Sequence, residues 1–222
     1  MTETTDGPKA TIAILGGTGK EGPGLAMRWA AAGYPIIIGS RQLEKAQVTA
    51  GEINEALGIG TVTGLENTAA ARAADIAVLT VVQSAHEAAL ASLVGTLNGK
   101  ILVDATARVD FRDPAPPGPP AAAEYAQQVL GTQVRVVAAF QNVPSHTLKK
   151  NIGESLGLDV LVCADDRQAA QVVIELAEAA GMRAFFAGGL RNAVVVEGLT
   201  SLLISLNKNY NTRTASIQVT GI

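Results

Sequence analysis

The sequence is poor in the residues that metal centres and disulfide-bonded proteins require. Its 222 residues include one cysteine, Cys163, and two histidines, His86 and His146. A single cysteine can form neither an internal disulfide nor a thiolate zinc site, so we expect a reducing, cytoplasmic location and no metal. Basic residues are also in short supply, with a formal net charge of −3. That charge offers no general attraction to nucleic acid, so we expect no nucleic-acid partner.

Long hydrophobic runs are also absent. The run 76–82 is far shorter than the ~20 residues that span a bilayer, and the stretch 193–206 is interrupted by Glu197. The polar segment 1–9 lacks the apolar core of a signal peptide. We therefore expect no membrane partner and no targeting segment. Hydrophobic residues still make up 48% of the chain, which excludes an intrinsically disordered protein.

Short apolar runs alternate with segments of helical periodicity, a pattern typical of a parallel β-sheet covered by helices. The predicted strands are 11–15, 35–39, 60–63, 75–82, 100–104, 135–140, 159–163 and 183–186. The predicted helices are 20–32, 42–57, 84–97, 121–130, 166–180 and 190–208, with one more beginning at a capping Asn67. We expect an α/β fold, with a Rossmann-type doubly wound parallel sheet in residues 1–150 and a small C-terminal α/β subdomain in residues 151–222.

The segment 113–120 contains five prolines in eight residues. Proline lacks a backbone donor and fixes φ, so this segment can be neither a helix nor a central strand. We expect a stiff connector on the surface.

A glycine motif follows the first predicted strand, with the pattern G-x-G-x-x-G at Gly17, Gly19 and Gly22. The pattern alone is weak, but here it follows a strand and opens a helix, which is the context of a dinucleotide-binding loop. We expect Gly17 to form the tight turn and Gly22 to let the helix pack on the sheet. Gly19 should let backbone N–H groups approach a pyrophosphate at the helix N-terminus.

The end of the second strand distinguishes NADP from NAD. Proteins that bind NAD place a carboxylate there for the ribose 2′-hydroxyl, whereas this chain has Gly39, Ser40 and Arg41. Arg41 can form paired, charge-assisted hydrogen bonds with a 2′-phosphate. Ser40 adds a hydroxyl, and Lys45 adds a second cation one turn into the next helix. The sequence therefore predicts NADP(H) as the cofactor.

Further ligand contacts are expected at the carboxyl ends of the other strands, where open α/β sheets bind ligands. Gln141 and Asn142 make one of these ends the most polar. Their side-chain amides could hold a carboxamide or a heterocycle edge, or they could cap the loop. The other candidates at these ends are Val82, Gln83, Ala107, Pro144 and Ser145.

The motifs of several other enzyme classes are missing. None of the three tyrosines is followed four residues later by a lysine, as short-chain dehydrogenases require, and no G-x-S-x-G nucleophile motif occurs. Asp165 and Asp166 are interpreted as helix caps. His86 could face the nicotinamide or lie at the surface, and His146 could line the substrate face or belong to a surface loop.

Several short segments are characteristic when taken together: I-L-G-G-T-G at 14–19, G-S-R at 39–41 with Lys45, D-I-A-V-L-T at 75–80, L-R-N at 190–192, Glu197, and I-x-V-T-G at 217–221. With these segments the chain resembles the family of F420-dependent NADP oxidoreductases. The resemblance implies that the phosphates are surrounded by Thr18, Gly19, Lys20 and Glu21, and that the 2′-phosphate is held by Ser40, Arg41 and Lys45.

The resemblance also implies a reaction, the direct transfer of a hydride between NADP(H) and the deazaflavin coenzyme F420, which acts as co-substrate. Both cofactors carry their own chemistry, so no catalytic acid, base or metal is expected. Gln141, Asn142 and Pro144 are the candidates for positioning the rings.

Two alternatives stay open on the sequence. The acceptor could be an imine, a pterin or a flavin, or the chain could be a non-catalytic module that senses NADP(H). The apolar helix 190–208 could form a wall of the acceptor site or a subunit interface, and we expect a homodimer.

Overall fold

The computed structural model describes residues 8–222. Most of the polar segment 1–9, in which we expect no signal peptide, therefore lies outside the described residues. Eight strands form one sheet in the order β3-β2-β1-β4-β5-β6-β7-β8. The strands are β1 Ile12–Leu15, β2 Ile36–Ser40, β3 Val62–Glu66, β4 Ile76–Leu79, β5 Ile101–Asp104, β6 Arg135–Ala138, β7 Asp159–Ala164 and β8 Arg183–Phe186. The α-helices are α1 Gly22–Ala31, α2 Leu43–Leu57, α3 Asn67–Ala73, α4 Gln83–Leu93, α5 Ala122–Leu130, α6 Ser145–Leu148, α7 Arg167–Ala179 and α8 Ala193–Asn209.

The sheet lies between two layers of helices, as the alternation of strands and helices predicts. In β1, Ile12 and Ile14 point into the layer formed by α1, α2 and α7, and Ala13 and Leu15 point into the layer of α3, α4, α5 and α8. Because both faces are covered, this strand is apolar at every position and fully buried. The predicted α/β fold of Rossmann type is confirmed.

One strand pair of the sheet is antiparallel. β6 and β7 run antiparallel, with Val137 opposite Ala164, whereas the other paired strands run parallel. In this register β7 begins at the same edge of the sheet where β6 ends, so the connection 139–158 needs no crossover helix. The parallel sheet predicted for residues 1–150 is confirmed in β1 to β6, and β7 and β8 extend that sheet.

Several boundaries also differ from the prediction. The helix after β4 ends at Leu93 rather than at residue 97, and the last helix begins as a 3-10 turn, Leu190–Asn192, before α8. Asp166 caps α7 as predicted, since its Oδ1 accepts the N–H groups of Gln168 and Ala169. Asp165 does not cap that helix, because its Oδ1 accepts the N–H of Leu190 instead.

The proline-rich segment 113–120 forms no helix or strand, as predicted, and lies across α8. Ser201 Oγ donates a hydrogen bond of 2.9 Å to the carbonyl of Ala115, and Arg108 Nη2 donates one of 2.7 Å to the carbonyl of Gly118.

Cys163 is buried in β7, where burial raises the pKa of its thiol to about 11. Within residues 8–222, no helix combines the length and the apolar character needed to cross a membrane.

Candidate functional site

The glycine-rich loop joins β1 to α1, and close contacts explain two of its three motif glycines. A Cβ on Gly17 would lie 2.6 Å from the carbonyl oxygen of Ile14, and a Cβ on Gly22 would lie 2.6 Å from Gly17 Cα. The N–H of Gly17 also donates to the carbonyls of Ile14 and Gly39. Gly22 is therefore needed for contact between the loop and the start of α1.

Gly19 is not required by packing in this way. A Cβ there would meet nothing closer than the Gly16 carbonyl oxygen at 3.4 Å, an ordinary contact, and Gly19 is exposed. The N–H groups of Thr18 and Lys20 find no acceptor among residues 8–222. An open loop with unpaired N–H groups at a helix N-terminus fits a pyrophosphate, and a side chain at position 19 would stand in its way.

Asn67, the first residue of α3, forms a hydrogen bond with the glycine-rich loop. Its Oδ1 accepts the N–H of Gly16 at 3.1 Å, across 51 residues of sequence. The same oxygen lies 2.8 Å from the position of a Cβ on Gly39, so Gly39 also has to be glycine. The predicted capping role of Asn67 is wrong, because its side chain serves the loop. No local signal in the sequence could have identified this contact.

Two hydroxyl side chains, Thr18 and Ser40, lie near each other at the end of β2, and two cationic residues, Arg41 and Lys45, follow in sequence. Thr18 Oγ1 lies 3.5 Å from Ser40 Oγ. Arg41 and Lys45 are exposed, and neither side chain forms a hydrogen bond or an ion pair with any residue from 8 to 222. Two unpaired cations beside two hydroxyls, with no carboxylate at the strand end, fit a 2′-phosphate.

Glu21 directly precedes α1, at the end of the glycine-rich loop. Burial raises the pKa of its carboxyl from the ordinary 4.5 to about 8, and its Oε1 is buried without a hydrogen-bond partner among residues 8–222. At neutral pH the group is therefore mostly protonated and uncharged. A neutral carboxyl does not repel a neighbouring phosphate, so this acid is compatible with an anion site.

The predicted amides Gln141 and Asn142 are both buried after β6, each 7% exposed. Gln141 Nε2 donates to the backbone carbonyl of Asp104 at 2.8 Å, and Asn142 Nδ2 donates to that of Val196 at 2.9 Å. Because a carbonyl can only accept, these bonds fix the orientation of both amides. Gln141 Oε1 and Asn142 Oδ1 have no donor among residues 8–222. Such oxygens favour a ligand that supplies N–H groups.

Backbone strain accompanies this polar end of β6. Phe140 has a φ of 75°, a conformation that a bulky L-residue rarely adopts. The residue is held by burial and by an edge-on contact with Trp29, with ring centroids 5.7 Å apart. Strained residues of this kind cluster at functional sites, and this one turns the chain directly before Gln141.

Helix α8 contacts the segments that follow two strands through the polar residues Glu197, which is buried, and Thr200, which is half-buried. Thr200 Oγ1 donates to the Gln141 carbonyl and accepts from Asn142 Nδ2, both at 3.0 Å. Glu197 accepts a hydrogen bond of 2.9 Å from Arg108 Nε, just after β5. Burial raises the pKa of Glu197, against the opposing effect of its hydrogen bonds. The helix thus positions the segments after β5 and β6 together.

The remaining candidates lie at the same edge of the sheet. Val82 and Gln83 are exposed at the start of α4, Ala107 follows β5, and Pro144 and Ser145 begin α6. The fold therefore brings all the predicted site residues to the carboxyl ends of β1, β2, β4, β5 and β6. His146 is exposed on α6, whereas His86 is 4% exposed, so the surface alternative for His86 is wrong.

The comparisons with known proteins agree with this geometry. Residues 11–108 match the family model for coenzyme F420-dependent NADP oxidoreductases. The F420-dependent NADP reductase of Methanothermobacter thermautotrophicus is 41% identical, with 95% of each chain aligned. The reductase of the same name from Methanocaldococcus jannaschii is 40% identical over 95% of this chain and 98% of its own.

A solved structure from Arthrobacter sp. FB24, of a candidate F420-dependent NADP reductase, superposes with a TM-score of 0.78 at 25% identity. It covers 96% of this chain and 100% of its own. The similarity therefore includes the C-terminal strands and α8 as well as the glycine-rich half.

Proposed function

This chain belongs to the F420-dependent NADP reductase family, and we propose that it transfers a hydride between NADP(H) and coenzyme F420. The observation that carries the proposal is the 41% identity over 95% of the chain to a reductase of that name. The site supports it independently, since Arg41, and not a carboxylate, directly follows β2, and Lys45 lies in the first turn of α2.

The chemistry belongs to the cofactors, because the hydride passes between the nicotinamide C4 and the deazaflavin C5. The chain binds and orients them. We assign the pyrophosphate to the loop N–H groups, the 2′-phosphate to Thr18, Ser40, Arg41 and Lys45, and ring positioning to Gln141 and Asn142. The other residues that we propose to line the cofactors are Gly17, Gly19, Lys20, Glu21, Gly22, Val82, Gln83, Ala107, Pro144 and Ser145. The rings must approach to about 3–3.5 Å for transfer.

We propose that residues 151–222 complete the acceptor side of this site. Support comes from α8, where the Thr200 hydroxyl and the Val196 carbonyl accept hydrogen bonds from the side chain of Asn142.

We also propose a homodimer and a cytoplasmic location. Val195 and Leu202 expose 65% and 59% of their surface on α8, an apolar face that a second copy would cover. Sedimentation equilibrium should give twice the chain mass, and a monomer at micromolar concentration would contradict the dimer.

The deciding experiment offers NADPH to the purified protein with F420, FMN or a pterin in turn, without oxygen. We expect the absorbance of NADPH and that of the oxidised deazaflavin to fall together, one for one, with F420 alone. Rapid oxidation with a flavin, a pterin or an added imine instead would indicate a different acceptor. Tight NADPH binding without oxidation by any of them would indicate a sensing module.

A further inference from the structure

A cavity of about 440 Å³ lies between α1 and α2, beside the glycine-rich loop. Thr18 and Gly19 form its end at the loop, and Lys149 reaches it from the segment after α6. Lys149 carries the only positive charge among the residues that line the cavity. The remaining lining residues are Pro23, Met27, Thr49, Glu52, Ile53 and Ala56.

The position of Lys149 is set by close packing of α6 on α1. A Cβ on Gly24 would lie 2.5 Å from the Cβ of Leu148, so only glycine at position 24 lets the two helices approach to this distance. Leu148 is fully buried in the contact. The residue that follows it, Lys149, is therefore held over the first turn of α1, where the phosphates are expected.

The side chain of Arg28, in α1, forms hydrogen bonds with the backbone of the same segment. The residue is 2% exposed, and burial lowers the pKa of its guanidinium. Its side chain has no carboxylate partner among residues 8–222 and donates only to backbone carbonyls. These carbonyls belong to Leu148, Lys150, Asn151, Glu154 and Ala180. A buried guanidinium is costly unless it is fully hydrogen-bonded, so these bonds anchor the backbone on both sides of Lys149.

The side chain of Lys149 has no partner in the described part of the chain, although the backbone on both sides of it is held by hydrogen bonds. It is exposed and forms no hydrogen bond or ion pair with residues 8–222. Thr18 borders the cavity and also lies 3.5 Å from Ser40 Oγ. Thr49 borders it one helical turn after Lys45, on the same face of α2. The cavity therefore lies next to the place that we assign to the 2′-phosphate.

We propose that Lys149 is a third cation for the 2′-phosphate of NADP(H), brought to it from the far half of the sheet. The proposal rests on the NADP(H) function proposed above. Glu52 is the competing partner, since its carboxylate lines the same cavity. The 2′-phosphate is a stronger partner, because a phosphate monoester carries about −1.5 to −2 charges at pH 7 and three acceptor oxygens.

The neighbouring Lys150 provides a matched control. It is also exposed and carries the same charge, and its backbone carbonyl, not its side chain, contacts Arg28. We suggest Lys149→Met and Lys150→Met, with calorimetric binding of 2′,5′-ADP and of 5′-ADP. We expect Lys149→Met to weaken binding of 2′,5′-ADP about tenfold or more, the loss of one charged hydrogen bond. Binding of 5′-ADP should stay unchanged, and Lys150→Met should behave as wild type with both probes.

Each other outcome overturns the proposal in a distinct way. Equal losses for both nucleotides would assign Lys149 to the 5′-phosphates, and equal losses in the two variants would show only a general effect of charge. An unchanged affinity would show that Lys149 does not contact the nucleotide. If the wild type itself does not prefer 2′,5′-ADP, the NADP assignment falls as well, whereas a preference that is undiminished in Lys149→Met overturns the role of Lys149 alone.

Discussion

His86 Nε2 and Asp104 Oδ2 lie 2.6 Å apart in the interior of the protein, with the two residues 4% and 0% exposed. The histidine N–H donates to the carboxylate, whose other oxygen accepts the N–H of Thr106 at 3.0 Å. The backbone carbonyl of Asp104 accepts from Gln141. Asp104 thus connects α4 and the ends of β5 and β6 directly beneath the candidate acceptor site.

Asp104→Asn should destabilise the protein although it preserves the shape of the side chain. An amide has one acceptor oxygen; if it accepts the Thr106 N–H, the NH2 group faces His86 Nε2, and the ring must change tautomer to accept from it. The hydrogen bond to a charged carboxylate is lost in either case. We expect a loss of about 2–3 kcal/mol in the free energy of unfolding, measured with urea. Asp166→Asn is the control, because Asn caps helices as well as Asp. Equal losses in the two variants would contradict the importance of the buried pair.

Thr200 should affect turnover more than cofactor binding. Thr200→Val keeps the volume but removes the hydroxyl that bonds both Gln141 and Asn142. We expect kcat to fall about tenfold, since small displacements of reacting groups are costly, while the Kd for NADPH changes less than twofold. Thr200→Ser restores the hydroxyl and should restore kcat. If Ser and Val behave alike, the hydroxyl does not position these amides.

Glu21 should make stability and cofactor binding depend on pH. Its folded pKa of about 8 lies above the ordinary 4.5, so the folded state holds this proton more tightly than the unfolded state. The resulting stabilisation is complete below pH 4.5 and is lost as the pH rises through 8. Glu21→Gln lacks this loss, so its stability relative to wild type should rise by at least ~1 kcal/mol between pH 5 and 9.

The same ionisation should weaken NADP+ binding by wild type above about pH 8, because a carboxylate would then face the phosphates. Calorimetry across this range should show a constant affinity for Glu21→Gln. Glu44→Gln, an exposed change on α2, should follow wild type. A parallel decline in all three proteins would assign the pH dependence to another group.

Arg41 should determine the preference for the phosphorylated cofactor. Arg41→Ala is expected to raise the KM for NADPH about tenfold or more with a smaller effect on kcat, because a charged hydrogen bond to the 2′-phosphate contributes roughly 1.5–3 kcal/mol. Steady-state kinetics with NADPH and NADH would measure this. Arg72→Ala, an exposed arginine on α3, should leave both constants unchanged, and an unchanged KM in Arg41→Ala would refute the assignment.

The position of the glycine-rich loop between β1 and α1, the candidate phosphate site, could be predicted because its signals are local. Gly17, Gly19 and Gly22 lie within six residues of one another, directly after an apolar strand, and Arg41 follows the next strand. The strand positions were equally predictable, since both faces of the sheet are covered and the strands therefore read as apolar runs. The same short segments carry the resemblance to the family.

Contacts between distant segments required the structure. Asn67 reaches Gly16 across 51 residues, and Thr200 reaches Gln141 across 59. The sequence around His86 could not show that it is buried against Asp104, and the connection after β6 carried no sign that β7 would run antiparallel.

Sequence alone determined what short segments decide for themselves: which strands are apolar and which loop leaves N–H groups free for a phosphate. The tertiary structure decided which polar side chains meet. The reason is physical: periodicity and turn geometry arise from neighbouring residues, whereas partners for buried polar groups come from wherever the chain folds back, and any segment can supply them.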